Sequence, residues 1–261
     1  MTALPVAQRL GLGTYRLGAR TYEVCRAALD LGYRHIDTAV LYENEDAVAR
    51  AVARSGIARE EIFVVTKIHV RDIRAEGRIL PAARESLERL GRIDLLLLHA
   101  PVGDWRRRWE ELQEAATWHD VGAVGVSNFD RAQLESLAAP LPSWNQIEAS
   151  PFLPRRELAA WCREKGIALV AHSPLTKRAR LGDAVLNEVA ARRGVTPAQV
   201  LTAWSLAQGF AVLPRTSNLQ HLAENLAAGD LALDAGDLEK LATLEDGYAT
   251  HPQHARDPTA P

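Results

Sequence analysis

The chain reads as an α/β protein of the (β/α)8 TIM-barrel class, and three observations lead there. Eight short β-branched or leucine-rich runs alternate with amphipathic segments, the pattern of repeated βα units. The 261 residues, 47% of them hydrophobic, can bury one large core, and as a single domain (1–261) they match the roughly 250 residues of such a barrel. Polar residues capable of chemistry fall at the ends of the apolar runs, where a parallel barrel builds its active site.

In chain order the strand candidates are RLGLGT (9–14), YRHIDT (33–38), IFVVTK (62–67), IDLLLLH (93–99), VGAVGVS (121–127), SWNQIE (143–148), IALVAH (167–172) and FAVLP (210–214). Between them lie helix candidates such as TYEVCRAALD, NEDAVARAVARSG, PAARESLERLG, RRELAAWCREKG and TPAQVLTAWSLAQG. Several open on a capping residue and close on glycine. Eight parallel strands with covering helices favour a closed barrel over an open doubly wound sheet. The C-terminal tail, residues 248–261 (YATHPQHARDPTAP), is aperiodic and bears proline, so it is expected either to drape over one rim or to be disordered.

Charge excludes several partners. The formal net charge is −2, from 31 basic and 33 acidic side chains, with no long block of either sign, so neither nucleic acid nor an anionic membrane is expected. The amino terminus lacks the apolar segment of a secretion signal, and no run approaches the about 18 residues needed to cross a bilayer. A cytoplasmic monomer acting on a small molecule is the expectation. Cys25 and Cys162 show no metal-ligand spacing and read as reduced packing residues.

The segment GYRHIDTAVLYENE (32–45) places Asp37 at the end of a strand run and Tyr42 five residues later. Lys67 and His99 end two further runs. Ser127, Asn128, Gln146, His172 and Arg215 stand at or within a residue or two of other ends. An unpaired charge at a buried strand end is costly, so Lys67 and Asp37 are expected to pair. A purely structural bridge is the alternative, but with Tyr42 and His99 nearby the pair acquires chemistry. A cation beside a phenol favours the phenolate, so Lys67 is expected to lower the Tyr42 pKa and make it a general acid near neutrality. Asp37 would then orient Lys67, and His99 would hydrogen-bond the substrate carbonyl.

GLGTYRLG, GYRHIDTAVLYENE, FVVTKI, LLLLHAP, GVSNF, NQIE, HSPL and LPRTSN occur in that order, from about Leu10 to Asn225, and this series resembles the successive motifs of the aldo-keto reductases. The resemblance extends to the short bacterial members of the diketogluconate reductase type. It implies a barrel that binds NADPH and reduces an aldehyde or ketone of the small dicarbonyl or keto-sugar class by hydride transfer, with Asp37, Tyr42, Lys67 and His99 as the catalytic tetrad.

By the same resemblance, Ser127, Asn128 and Gln146 anchor the nicotinamide carboxamide, Gly13 and Thr14 lie beside the cofactor, and His172, Ser173 and Leu175 border it. Arg215, Thr216 and Asn218 would hold the adenosine 2′-phosphate, with Glu224 and Asn225 at the adenine. A Rossmann fingerprint is not supported, because Arg16 occupies the last position of a GxGxxG spacing begun at Gly11.

This chain departs from the family pattern at four places. His172 replaces the aromatic ring that stacks on the nicotinamide, and His221 replaces a second arginine near the 2′-phosphate. His69 and Ala100 replace two tryptophans of the substrate cleft, which should leave it wider and more polar, with Tyr15 as an apolar wall. Trp105 and Trp109 read as packing residues of a nearby helix. Two other functions fit parts of the sequence: a metal-dependent barrel hydrolase using His35, Asp37, His99 and His172, and a cofactor-sensing regulator without catalysis. No metal site is expected, since the His-x-His pair common in such hydrolases is missing.

Overall fold

A computed structural model describes residues 6–72 and 78–252. All eight runs form strands: β1 (Leu12–Gly13), β2 (His35–Asp37), β3 (Phe63–Ile68), β4 (Leu95–Leu98), β5 (Val124–Ser127), β6 (Trp144–Glu148), β7 (Ala168–His172) and β8 (Ala211–Leu213). They pair in parallel in sequence order. The barrel closes where Leu10 bridges Val212, with the Gly11 amide donating to the Val212 carbonyl at 2.9 Å. Several strands are shorter than the runs that mark them. β1 loses its first residues because Arg9 belongs to helix α1 (Val6–Arg9), whose Arg9 guanidinium donates to the Leu206 carbonyl.

The five named helical runs become α2 (Thr21–Leu31), α3 (Glu45–Ala53), α4 (Leu80–Leu90), α7 (Arg156–Lys165) and α9 (Pro197–Ala207). The remaining helices are α5 (Trp105–Ala115), α6 (Arg131–Glu135), α8 (Ala184–Arg193), α10 (Leu219–Ala227) and α11 (Ala235–Ala242). Local chemistry explains their ends. α9 opens with a capping box between Thr196 and Gln199 and has Pro197 at its start, whereas α2 stops at Gly32, whose φ of 111° suits a residue without Cβ. The two cysteines lie buried in α2 and α7, and burial pushes each thiol up to about 12, as expected of packing residues.

Alternation along the strands sorts the core into two layers. Ile36, Val64, Leu96, Leu98, Val126, Ile147, Leu169 and Val212 face outward into the large cluster shared with the helices. Val65, Leu95 and Leu97, with Val170, Ala211 and Leu213 opposite, fill the barrel, and Trp144 touches both groups. Gly125 lets β5 pack close to its neighbours: a Cβ there would lie 2.7 Å from the Trp144 carbonyl oxygen and 2.9 Å from Leu97. The same inward alternation continues upward to Asp37, Lys67, Ser127, Gln146, Glu148 and His172, so the polar residues emerge at the C-terminal mouth.

The tail drapes over that mouth as far as it is described. The amides of Thr250 and His251 donate to the two carboxylate oxygens of buried Glu148, at 2.6 and 3.0 Å. The part of the tail expectation that concerns 253–261 lies outside the described residues.

Candidate active site

A cleft of about 730 Å³ opens at the barrel mouth, and its walls include Gly13, Tyr15, Asp37, Tyr42, His69, His99, Ala100, Ser127, Asn128, Gln146, His172, Ser173, Leu175 and Arg215. Residues spread over most of the chain thus share one site. Its floor is an ion pair. The Lys67 Nζ donates to Asp37 Oδ1 at 2.5 Å and to the Thr38 carbonyl at 2.8 Å, while Gln146 Nε2 donates to Asp37 Oδ2 at 2.7 Å. Lys67 is only 1% exposed, and burial, partly offset by Asp37, holds its pKa below the ordinary lysine value.

Tyr42 ends a single 3-10 turn (Val40–Tyr42) between β2 and α3 and stands over this pair, its ring centroid 5.2 Å from Lys67 Nζ. The His99 ring meets it edge-on at 5.9 Å, and His69 meets His99 at 5.7 Å. The expected lowering of the Tyr42 pKa is corrected here: burial first, then the charge of Asp37 and the neighbouring Tyr15, push it well above its ordinary value. The ammonium that was to lower it is already balanced by Asp37, and the surroundings that bury the pair disfavour a phenolate. Tyr42 therefore keeps its proton across neutral pH, the form a donor needs.

Three amide or hydroxyl groups converge beside the pair. Asn128, held at φ 64°, donates from Nδ2 to the His99 carbonyl and to Ser127 Oγ, both at 3.0 Å. Its Oδ1 accepts from His172 Nε2 at 2.8 Å, and Ser127 Oγ donates to the Gln146 carbonyl at 2.9 Å. His172 thus carries its proton on Nε2, and His251 from the tail packs against it edge-on at 6.1 Å.

The cleft is strongly cationic. Arg16, Arg71, Lys177, Arg178 and Arg215 line it, whereas Asp37, committed to Lys67 and Gln146, is the sole carboxylate among the described lining residues. Arg215 donates from Nε to the Tyr15 carbonyl at 2.9 Å and from Nη2 to the Arg16 carbonyl at 2.5 Å. Burial, and secondly the nearby Arg16, lower its pKa.

Other residues singled out from the sequence lie outside the cleft walls. Thr14 is fully buried, and its hydroxyl donates to the Asp37 carbonyl. Thr216 accepts from the Asn218 amide, and Asn218 caps α10 through the Gln220 amide. His221 and Glu224 are exposed on α10 while Asn225 is buried there. His35 sits at the opposite end of β2, with Nδ1 donating to the Gln8 carbonyl, so it does not join His99 and His172 in a metal constellation. Among the described residues no group of three or more His, Cys, Asp or Glu is placed to hold a metal ion. Arg16, Leu41, Arg71, Lys177, Arg178 and His251 were not foreseen as lining residues. The basic run TKRAR after the seventh strand was the one local signal that could have found two of them.

The profile of the aldo/keto reductase family matches residues 9–246. The chain belongs to that family. This aldo/keto reductase is 37% identical over 246 residues to a methylglyoxal reductase DkgB of Escherichia coli O157:H7, covering 90% of this chain and 92% of that one. It is 38% identical over 247 residues to 2,5-diketo-D-gluconic acid reductase B of a Corynebacterium species (91% and 89% covered). Against a glyoxal reductase of Bacillus subtilis it is 36% identical over 242 residues (90% and 87% covered). The crystal structure of MGS-M4, an aldo-keto reductase from a deep-sea metagenome library of the Medee basin, superimposes with a TM-score of 0.85 at 33% identity, covering 95% of this chain and 94% of that one. The barrel of the reductase is therefore the family's own. Among its described residues no helix is long and apolar enough to cross a membrane.

Proposed function

We propose that this aldo/keto reductase uses NADPH to reduce a small dicarbonyl or keto-sugar to the alcohol, with Tyr42 as proton donor. The observation that carries the reading is the stack of Tyr42 over the buried Lys67–Asp37 pair with His99 at its edge, at the floor of a cationic cleft. The relatives point the same way, since methylglyoxal, glyoxal and 2,5-diketogluconic acid each carry more than one carbonyl group.

The donor set fits the cofactor. Ser127, Asn128 and Gln146 offer the hydroxyl and amide groups that a carboxamide needs, and Arg215 with Arg16 supplies positive charge without a balancing carboxylate. When bound, the nicotinamide supplies a hydride to the carbonyl carbon. His99 and Tyr42 hold the carbonyl oxygen, and the Tyr42 hydroxyl gives its proton to that oxygen as the negative charge develops. Lys67 then faces the phenolate left behind, and Asp37 and the Thr38 carbonyl keep the ammonium in place. Ala100 and His69 leave space beside His99 for a second polar group on the substrate.

The test is loss of NADPH absorbance on adding methylglyoxal, glyoxal or a keto-sugar to the wild type and to Tyr42→Phe. The substitution should lower turnover by about a hundredfold to ten-thousandfold while leaving NADPH affinity nearly intact. Turnover above about a tenth of wild type would remove Tyr42 from the donor role. A wild type that binds NADPH but reduces none of the carbonyls would favour a sensing protein instead.

A further inference from the structure

Tyr42 sits on a connection that would be expected to move. Between β2 and α3 the chain runs through one 3-10 turn and then Glu43, a non-glycine residue at φ 53°. Most of this connection is held by single backbone bonds, from the Tyr42 amide to the Ala39 carbonyl and from the Glu43 amide to the Val40 carbonyl, each 3.0 Å. Proton transfer demands that a donor be fixed to within a fraction of an ångström. Something else must hold the loop.

Asn44 is that holder, and its side chain shows what it gives up to be so. It stands at the N-cap of α3, where an asparagine normally turns its oxygen onto the first amides of the helix, yet it makes no capping bond. Instead it points inward, 5% exposed, with both amide hydrogens and the side-chain oxygen hydrogen-bonded. Its Oδ1 accepts from Thr38 Oγ1 at 2.6 Å. Its Nδ2 donates to the Thr14 carbonyl at 3.1 Å and to Thr21 Oγ1 at 3.2 Å. Thr21 in turn donates to the Gly18 carbonyl, and Thr14 to the Asp37 carbonyl. Thr14, Thr21 and Thr38 are all fully buried, so these bonds exchange with no solvent.

Thr38 ties this network to the ion pair. Its amide extends the sheet by donating to the Val65 carbonyl, and its own carbonyl accepts from Lys67 Nζ at 2.8 Å. One residue therefore grips the ammonium with its backbone and closes the Tyr42 loop with its hydroxyl.

We infer that Thr38 and Asn44 are positioning residues for the proton donor: the Thr38–Asn44 bond clasps both ends of the loop and keeps the Tyr42 hydroxyl in register with Lys67. This rests on the reading of Tyr42 as donor. Thr38→Val preserves shape and removes the clasp, while Thr38→Ser restores the hydroxyl. Each is made in the wild type and in Tyr42→Phe, and kcat, KM, NADPH affinity and amide exchange over residues 39–45 are measured.

Thr38→Val should lower kcat by roughly tenfold to a hundredfold, leave NADPH affinity unchanged and speed exchange across 39–45. Thr38→Ser should recover kcat to within about twofold, and in Tyr42→Phe the valine should cost nothing further. Should Thr38→Val not fold, Thr21→Val loosens Asn44 from α2 alone and should act in the same direction with a smaller loss. Full kcat in Thr38→Val, a serine variant as slow as the valine, or an equal further loss on top of Tyr42→Phe would each overturn the inference. If the wild type reduces no carbonyl, the functional reading fails by itself, and unchanged exchange across 39–45 would then separately refute the clasp.

Discussion

Replacing Asp37 by asparagine keeps the shape of the side chain and removes the charge that faces Lys67. The ammonium then has the Thr38 carbonyl and an amide oxygen as partners in a site where it is 1% exposed. Breaking a buried ion pair by removing one partner costs about 3–5 kcal/mol. At about 1.36 kcal/mol per pH unit, that lowers the Lys67 pKa by roughly two to four pH units. Burial already holds it below its ordinary value, so in Asp37→Asn the lysine should lose its proton at a lower pH than in the wild type. Under the proposed mechanism, reduction needs the charged lysine and the protonated tyrosine. Because burial raises the Tyr42 pKa and lowers that of Lys67, the alkaline limb of the rate is expected to follow Lys67. Loss of Asp37 also removes one cause of the Tyr42 elevation, but the larger cause, burial, remains. The assay is kcat for dicarbonyl reduction from pH 5 to 10 under saturating NADPH. The alkaline limb should move toward acid by about two to four units, with much of the rate retained at the lowest pH. An unmoved limb, or an equal loss at every pH, would refute the assignment of Asp37 as the counter-charge that keeps Lys67 ionised.

Arg215→Ala should weaken NADPH binding by roughly tenfold to a hundredfold and hardly change NADH, since charge-assisted bonds contribute about 1.5–3 kcal/mol each; equal losses in a titration of both cofactors would place Arg215 away from the 2′-phosphate. Ala100→Trp should narrow the substrate range toward smaller carbonyls, because Ala100 lines the cleft and an indole would fill it; an identical profile across small and bulky substrates would contradict this. His35 is buried, and burial lowers its pKa below 6.5, so below that pH the unfolded chain takes up more protons than the folded one and stability falls as pH drops. His35→Gln should therefore flatten the decline in unfolding free energy, measured by urea titration between pH 7 and 5, by up to about 1.4 kcal/mol per pH unit, and an unchanged slope would show that His35 is not responsible.

The sequence by itself determined the strands, their order and the chemistry at their ends, because alternation and strand termination are local properties. His35 and Asp37, or Gln146 and Glu148, must share a face whatever surrounds them, and an ordered series of strand-end residues has few closed arrangements. It could not determine how charge and burial balance once the barrel closed. The effect of Lys67 on Tyr42 is offset by Asp37 at 2.5 Å, which balances the lysine's charge, and burial raises the tyrosine pKa. The Thr14 hydroxyl, 23 residues away, serves the Asp37 carbonyl. His251, distant in sequence and in an aperiodic tail, reaches the cleft because Glu148 at the end of β6 holds its amide. Asn44 stands at the N-cap of α3 but turns its side chain inward and closes the Tyr42 loop. Most of these depend on groups far apart in the chain, such as Thr14 with Asp37 at a separation of 23 and His251 with Glu148 at 103, and only the folded barrel sets those distances.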